Sequence, residues 1–311
     1  MHGHEQNKGH GHTHGSIDPS AAMTKKGLWA VKWSFIGLMI TFTIQVVIVA
    51  ITGSVALLAD TIHNLGDAVT AIPLGTAFLF ALKKPSKKFT YGFGRVEDLA
   101  GVIVVFLILF SAIVAGYQAI DRIIHPQTIQ NIEAVILASI IGFAGNEVVA
   151  IFRIKTGKEI GSAALIADGY HARVDGFTSL AVLLGAIGVM LGFPLADPII
   201  GLLISVTIFK IVRDSVKTVF LRLLDGVEPE YIEEIKHSLS HVKEIREVLN
   251  IKARWSGHLL SAEVYLKVDS HLSFRDVYGI IEKVEHEIKG HIKYISNVMV
   301  KVGPEIDVHS H

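Results

Sequence analysis

Residues 57–67 read LLADTIHNLGD, and residues 165–175 read LIADGYHARVD. Both keep the frame Leu-x-Ala-Asp-x-x-His-x-x-x-Asp, and both lie inside long apolar segments. His63 and Asp67 are four residues apart, as are His171 and Asp175, so on a helix each pair shares one face a turn apart. Two such helices side by side would aim two imidazoles and two carboxylates at one point. That nitrogen and oxygen donor set suits zinc and neighbouring divalent cations.

The surrounding composition says where this constellation sits. Half of the 311 residues are hydrophobic and only 19% are charged, and the mean hydropathy is +0.48. A chain this apolar is expected to be a polytopic membrane protein in contact with the lipid bilayer. Lysine plus arginine balance aspartate plus glutamate at 29 each, which gives no reason to expect a nucleic-acid partner. With no cysteine among the residues, thiolate ligands and disulfides are excluded. The 16 histidines leave imidazole and carboxylate to handle any metal.

Residues 1–24 form a polar tail with His2, His4, His10, His12 and His14, expected to be flexible and able to capture transition metals loosely. It lacks the basic start and apolar core of a signal peptide. Six apolar segments follow, at about 29–51, 55–82, 99–119, 132–152, 160–191 and 198–219. Each is near the ~20 residues that a bilayer core requires. Lys83, Lys84, Lys87, Lys88 and Arg95 fall between segments two and three, and Arg153, Lys155 and Lys158 between four and five. The opposite connections hold only Arg122, so the positive-inside rule places both termini in the cytoplasm of a cell (inner) membrane protein. The frames in segments two and five then fall near the middle of a slab ~30 Å thick.

Ionisable groups at that depth cost at least ~2.5 kcal/mol each on insertion scales and mark ion pathways. A helix-to-helix hydrogen bond would explain one His–Asp pair, but two copies in one frame favour a site. Asp60 and Asp168, three residues before each histidine, are expected to orient the imidazoles or line the cavity leading to them. Arg173 needs an intramembrane partner, with Glu147 first and Glu97 or Asp98 as alternatives. Protons compete with metal for deprotonated ligands, so proton antiport is the expected drive.

Beyond about residue 223 the pattern becomes that of a small α+β domain extending to 305, with 306–311 as a flexible end. Ile232, Ile235 and Leu239 mark a helix, and Leu260, Ala262, Val264, Leu266 and Val268 alternate as a strand. The order helix, strand, strand, helix, strand is ferredoxin-like. The fold class expected is thus an all-α membrane bundle of six transmembrane helices over residues 25–222, plus a small α+β cytoplasmic domain. So small a domain invites pairing with a second copy. His258, His286 and His291 are candidate metal ligands in it, and could meet only through the fold; His237 and His241 share a helix face.

These residues resemble the cation diffusion facilitator family of zinc-type proton antiporters, from the first segment to Pro304. The resemblance rests on the two HxxxD pairs, on FTYGFGRVED at residues 89–98 and on ADPIIGLLIS from Ala196. It implies that His63, Asp67, His171 and Asp175 form the transport site, that the α+β domain is metallochaperone-like and dimeric, and that zinc is cargo rather than cofactor. In the loop after segment two, Tyr91, Phe93 and Arg95 stand where some members carry ligands, and the last strand reads Lys301-Val302-Gly303-Pro304 where many carry histidine. Cobalt, nickel, iron or cadmium would fit the same donors. An intramembrane metallohydrolase or a non-transporting metal sensor is the alternative of another class. No enzyme activity is expected.

Overall fold

The computed structural model describes residues 19–52, 61, 65, 68–69, 71–124, 131–193 and 195–303. The histidine-rich tail up to residue 18, the end from 304, and Asp60, His63 and Asp67 lie outside the described residues. Helices α1 (Pro19–Thr52), α2 (Ala71–Ala81), α3 (Arg95–Ile124), α4 (Ile132–Ile160), α5 (Ala163–Met190) and α6 (Ala196–Leu223) come first. They are followed by α7 (Pro229–Ser240), β1 (Glu247–Ser256), β2 (Leu259–Lys267), α8 (Phe274–His291) and β3 (Ile295–Gly303). Among the described residues, four helices are long and apolar enough to cross a membrane, over Ser20–Thr52, Arg95–Asp121, Ile132–Ile160 and Ala163–Met190. Helix α6 is as long as α5 but carries Asp197, Lys210, Arg213 and Asp214, which dilute its apolar character.

The helices outrun the apolar segments. At 1.5 Å per residue the 34-residue α1 is about 51 Å long, well beyond a ~30 Å hydrocarbon core. It begins at Pro19, inside the stretch assigned to the tail, because proline suits the first helical turn and Thr24 is buried against the C-terminal domain. The stretch around Lys155 and Lys158, expected to separate segments four and five, is the last turn of α4. The true break is Gly161-Ser162. Gly161 adopts φ 75° at the C-cap of α4, and the Ser162 hydroxyl accepts the Leu165 N–H as the N-cap of α5.

One apolar cluster joins Val104 and Ile108 of α3 to Val174 of α5 and Ile208 and Val212 of α6. Another joins Ala30 and Val31 of α1 to Leu74 and Phe78 of α2 and to Leu165. Helices α4 and α5 approach through glycine: a Cβ on Gly169 would lie 2.9 Å from the backbone nitrogen of Ile154.

The C-terminal domain has the expected element order. Its sheet runs β1-β2-β3, with β1–β2 antiparallel and β2–β3 parallel. Strand β2 alternates, so Leu260, Ala262, Val264 and Leu266 face a core completed by Ile235 and Leu239 of α7 and Ile280, Val284 and Ile288 of α8. The register pairs Ser256 with Leu259, leaving Gly257-His258 as a two-residue hairpin loop. Gly257 takes φ 61°, the positive angle a Gly-first hairpin turn requires.

Candidate metal centre and its coupling to the C-terminal domain

Helix α5 carries His171 and Asp175 one turn apart, with Nδ1 and Oδ2 separated by 3.6 Å and exposures of only 2% and 1%. Both therefore point into the bundle. Ala172, beside His171, shares a buried cluster with Ala68 of the second segment and with Leu38, Val149 and Ala150.

A seam of buried polar residues runs along α1, α4 and α5, the last of which carries this pair. Ser34, Thr41 and Gln45 on α1, Ser139 and Asn146 on α4, and Ser179 on α5 are all buried. Ser179, Gln45 and Thr41 approach α4 at its glycines. A Cβ on Gly142 would lie 2.9 Å from the Ser179 hydroxyl and 3.0 Å from Gln45 Nε2, and one on Gly145 would lie 2.2 Å from the Thr41 hydroxyl. The sequence reading missed these groups. Their signal is polar residues recurring at intervals of four and seven within apolar segments, which is one helix face.

Asp168 is fully buried, but its carboxylate lies 2.9 Å from Nη1 of Arg153, which is itself 1% exposed. The expectation that Asp168 orients an imidazole gives way to a buried ion pair between α4 and α5. Burying either charge alone is costly, so each requires the other. Arg173 donates through Nε and Nη2 to Glu147 at 3.1 and 2.7 Å, a bidentate pair about a quarter exposed. Glu97 and Asp98, the alternative partners, are engaged elsewhere.

Their engagement is with the C-terminal domain. The β1–β2 hairpin inserts into the bundle end formed by the N-termini of α1, α3 and α5 and the C-termini of α4 and α6. His258, 1% exposed, sits 2.6 Å through Nδ1 from Glu97 Oε2 and 3.0 Å through Nε2 from Thr24 Oγ1. Thr24 donates its own hydroxyl proton to the Ser20 carbonyl, so both ring nitrogens of His258 face oxygens able to accept, which favours the protonated imidazole. Burial alone would push this imidazole down, yet the Glu97 carboxylate and its hydrogen bond outweigh it and raise the His258 pKa above its ordinary value. The Ser162 hydroxyl donates to the other Glu97 oxygen at 2.5 Å while capping α5. The Gly257 N–H donates to Asp98 at 3.2 Å.

Other links hold the same end. Arg95 pairs with Asp225. The Arg222 guanidinium lies 4.0 Å over the Trp255 ring, donates to the Gly161 carbonyl at 2.6 Å and bonds Glu228 at 3.0 Å. The Tyr294 hydroxyl and Lys293 donate to the carbonyls of Lys158 and Glu159, satisfying the last turn of α4.

The three cytoplasmic metal candidates do not converge. His258 is consumed by Glu97 and Thr24, and His286 is exposed on α8. His291 instead meets His241 and Glu287. Sequence separation hid this, because the ends of α7 and α8 come together only in the fold.

Comparison with known proteins agrees with this architecture. The family profile described as "Cation efflux transmembrane domain" matches residues 31–224, and "Cation efflux protein, cytoplasmic domain" matches residues 227–305. A probable cation efflux system protein of Mycobacterium tuberculosis is 49% identical over 289 residues, covering 93% of this chain and 87% of its own. A manganese efflux system protein, MneP of Bacillus subtilis, is 26% identical, covering 81% and 87%. Among solved structures, a MamM CTD in a nickel form covers 25% of this chain and 100% of its own at 22% identity and a TM-score of 0.25. With a histidine and an aspartate buried one turn apart in a helix apolar enough to span a membrane, and a match along nearly its whole length, the chain belongs to the cation diffusion facilitator family, and it is a multi-pass membrane transporter that exports metal cations rather than an enzyme.

Proposed function

We propose that this chain exports a divalent cation, zinc first, in exchange for protons, through a His₂Asp₂ set of His63, Asp67, His171 and Asp175. The observation that carries the reading is the pair His171 and Asp175, buried one turn apart within the polar seam of a spanning helix. The burial of Ala68 in one apolar cluster with Ala172 supports a second half supplied by the matching frame. Neutral imidazole and carboxylate bind metal only when deprotonated, so protons arriving from the far side expel the ion. A tightly caged ion would never leave, and this competition supplies release.

Six spans put the N-terminus and the C-terminal domain on one side, and the density of lysine and arginine there makes that side the cytoplasm. The α+β domain pairs two copies into a homodimer. Because a relative is a manganese efflux protein, manganese is the second reading for cargo; carboxylate oxygen suits it, whereas two imidazoles favour zinc.

The test is metal uptake by sealed vesicles carrying the full chain under an imposed pH gradient, with zinc and manganese in competition. Zinc flux should follow the gradient and disappear in Asp67→Ala and in Asp175→Ala. Unchanged flux in both variants would remove the site, and manganese outcompeting zinc would change the cargo.

A further inference from the structure

At the outer face of the C-terminal domain, two helix ends bring three histidines and a glutamate together. His237 lies on α7 and His241 caps it, one turn on, and their rings are 4.8 Å apart. Glu287 and His291 occupy the last turn of α8, and the His291 ring lies 5.1 Å from His241 and 6.2 Å from His237. One ligating atom each from His241, Glu287 and His291 lies within 4.8 Å of the others. These side chains are half-exposed or exposed, on the side of the helices away from the core residues Ile235, Leu239, Val284 and Ile288.

We propose that His241, Glu287 and His291, with His237 as a fourth donor, form a surface site for a divalent transition cation of the zinc, cobalt, nickel or copper type. Three features support it. Tetrahedral zinc with bonds of about 2.0–2.2 Å holds donor atoms roughly 3.3–3.6 Å apart, so side-chain rotations that move the ligating atoms by about an ångström close the set. Around the Glu287 carboxylate, Nδ1 of His241 lies 3.5 Å and Nδ1 of His291 3.7 Å from the same oxygen, Oε2. The two helices end at the same place, so the partial negative charges of both C-termini favour a cation there.

Three of the neighbouring lysines are neutralised by carboxylates. Lys236 is paired with Glu233, Lys283 with Glu244 and Lys289 with Glu285. Imidazole as the majority donor selects against magnesium and calcium, which take oxygen ligands. A bound ion would staple α7 to α8. The site shares no residue with the intramembrane set, and its existence does not depend on which ion is exported.

The experiment counts bound metal in the full chain in detergent, with His2, His4, His10, His12 and His14 changed to Asn in every arm to remove the tail. Equilibrium dialysis against zinc, and visible spectra with cobalt, compare this parent with His241→Ala/His291→Ala and with Glu287→Gln. The double variant should bind one ion fewer per chain and lose the absorption of a cobalt ion held by imidazoles. Zinc should raise the unfolding temperature of the C-terminal domain in the parent and leave the double variant unmoved. Adding Asp175→Ala should subtract a separate ion, because the sites are independent. An unchanged ion count in the double variant overturns the proposal, as does a count that magnesium competes away.

Discussion

Nδ1 of His258, at the tip of the β1–β2 hairpin, lies 2.6 Å from Oε2 of Glu97 in the first turn of α3, and both side chains are 1% exposed. The pair is a charged contact that fixes the C-terminal domain to the bundle. Glu97 reaches Ser162 with its other oxygen, so the hairpin is two hydrogen bonds from the cap of the helix that carries His171 and Asp175.

Because the His258 pKa is raised in the folded protein, its contribution to docking is fully present below the ordinary histidine value of 6.5 and is lost as pH rises through the raised folded value. Glu97, Asp98 and Thr24 are the groups that face it, along with the ring of Phe78 at 5.9 Å. Docking, read as protease resistance of the 224–228 connection across a pH series, should weaken on the alkaline side. In His258→Gln it should be weaker throughout and its fall on the alkaline side shallower. A His258→Gln profile that keeps the parental slope would rule this histidine out as the titrating group.

Ser162→Ala removes the N-cap of α5 and a donor to buried Glu97, with an expected loss of about 0.5–2 kcal/mol. Ser162→Asp should be worse, although aspartate is ordinarily a good N-cap, because it sets a second carboxylate against Glu97. Thermal unfolding of the two purified variants orders them, and Asp above Ala would show that Glu97 does not act on this cap.

Asp168→Asn leaves the Arg153 guanidinium buried without its counter-charge, and should cost roughly 3–5 kcal/mol. Replacing both members, Arg153→Met with Asp168→Leu, should recover most of that loss. Should the double variant be as unstable as the single one, the destabilisation would come from packing rather than from an uncompensated charge.

Gly169→Ala places a Cβ 2.9 Å from the backbone nitrogen of Ile154, so α4 and α5 must separate. An overpacking loss of about 1–3 kcal/mol and reduced zinc flux are expected. Gly116→Ala in α3 meets nothing within 4 Å and should leave flux intact while gaining up to ~1 kcal/mol of helix propensity. Equal behaviour of the two variants, measured side by side by unfolding and vesicle uptake, would contradict the close approach of α4 and α5.

The sequence by itself determined the class of the protein, the bundle followed by an α+β domain, and the chemistry of the pair on α5. Apolar runs near the thickness of a bilayer, alternation in β2 and a histidine four residues from an aspartate are local periodicities, and local periodicity survives in one dimension. The tertiary structure alone decided the partners. Asp168 turns to Arg153, and Glu97 takes His258 across 161 residues of sequence. His291 finds His241 rather than His258. Helix ends likewise escaped the apolar pattern, because Arg95–Leu99 and Arg153–Ile160 are helical outside the lipid-like stretch and are held by contacts with the C-terminal domain. A buried charge takes whichever opposite charge the packing of helices brings within reach, and that choice is made in three dimensions.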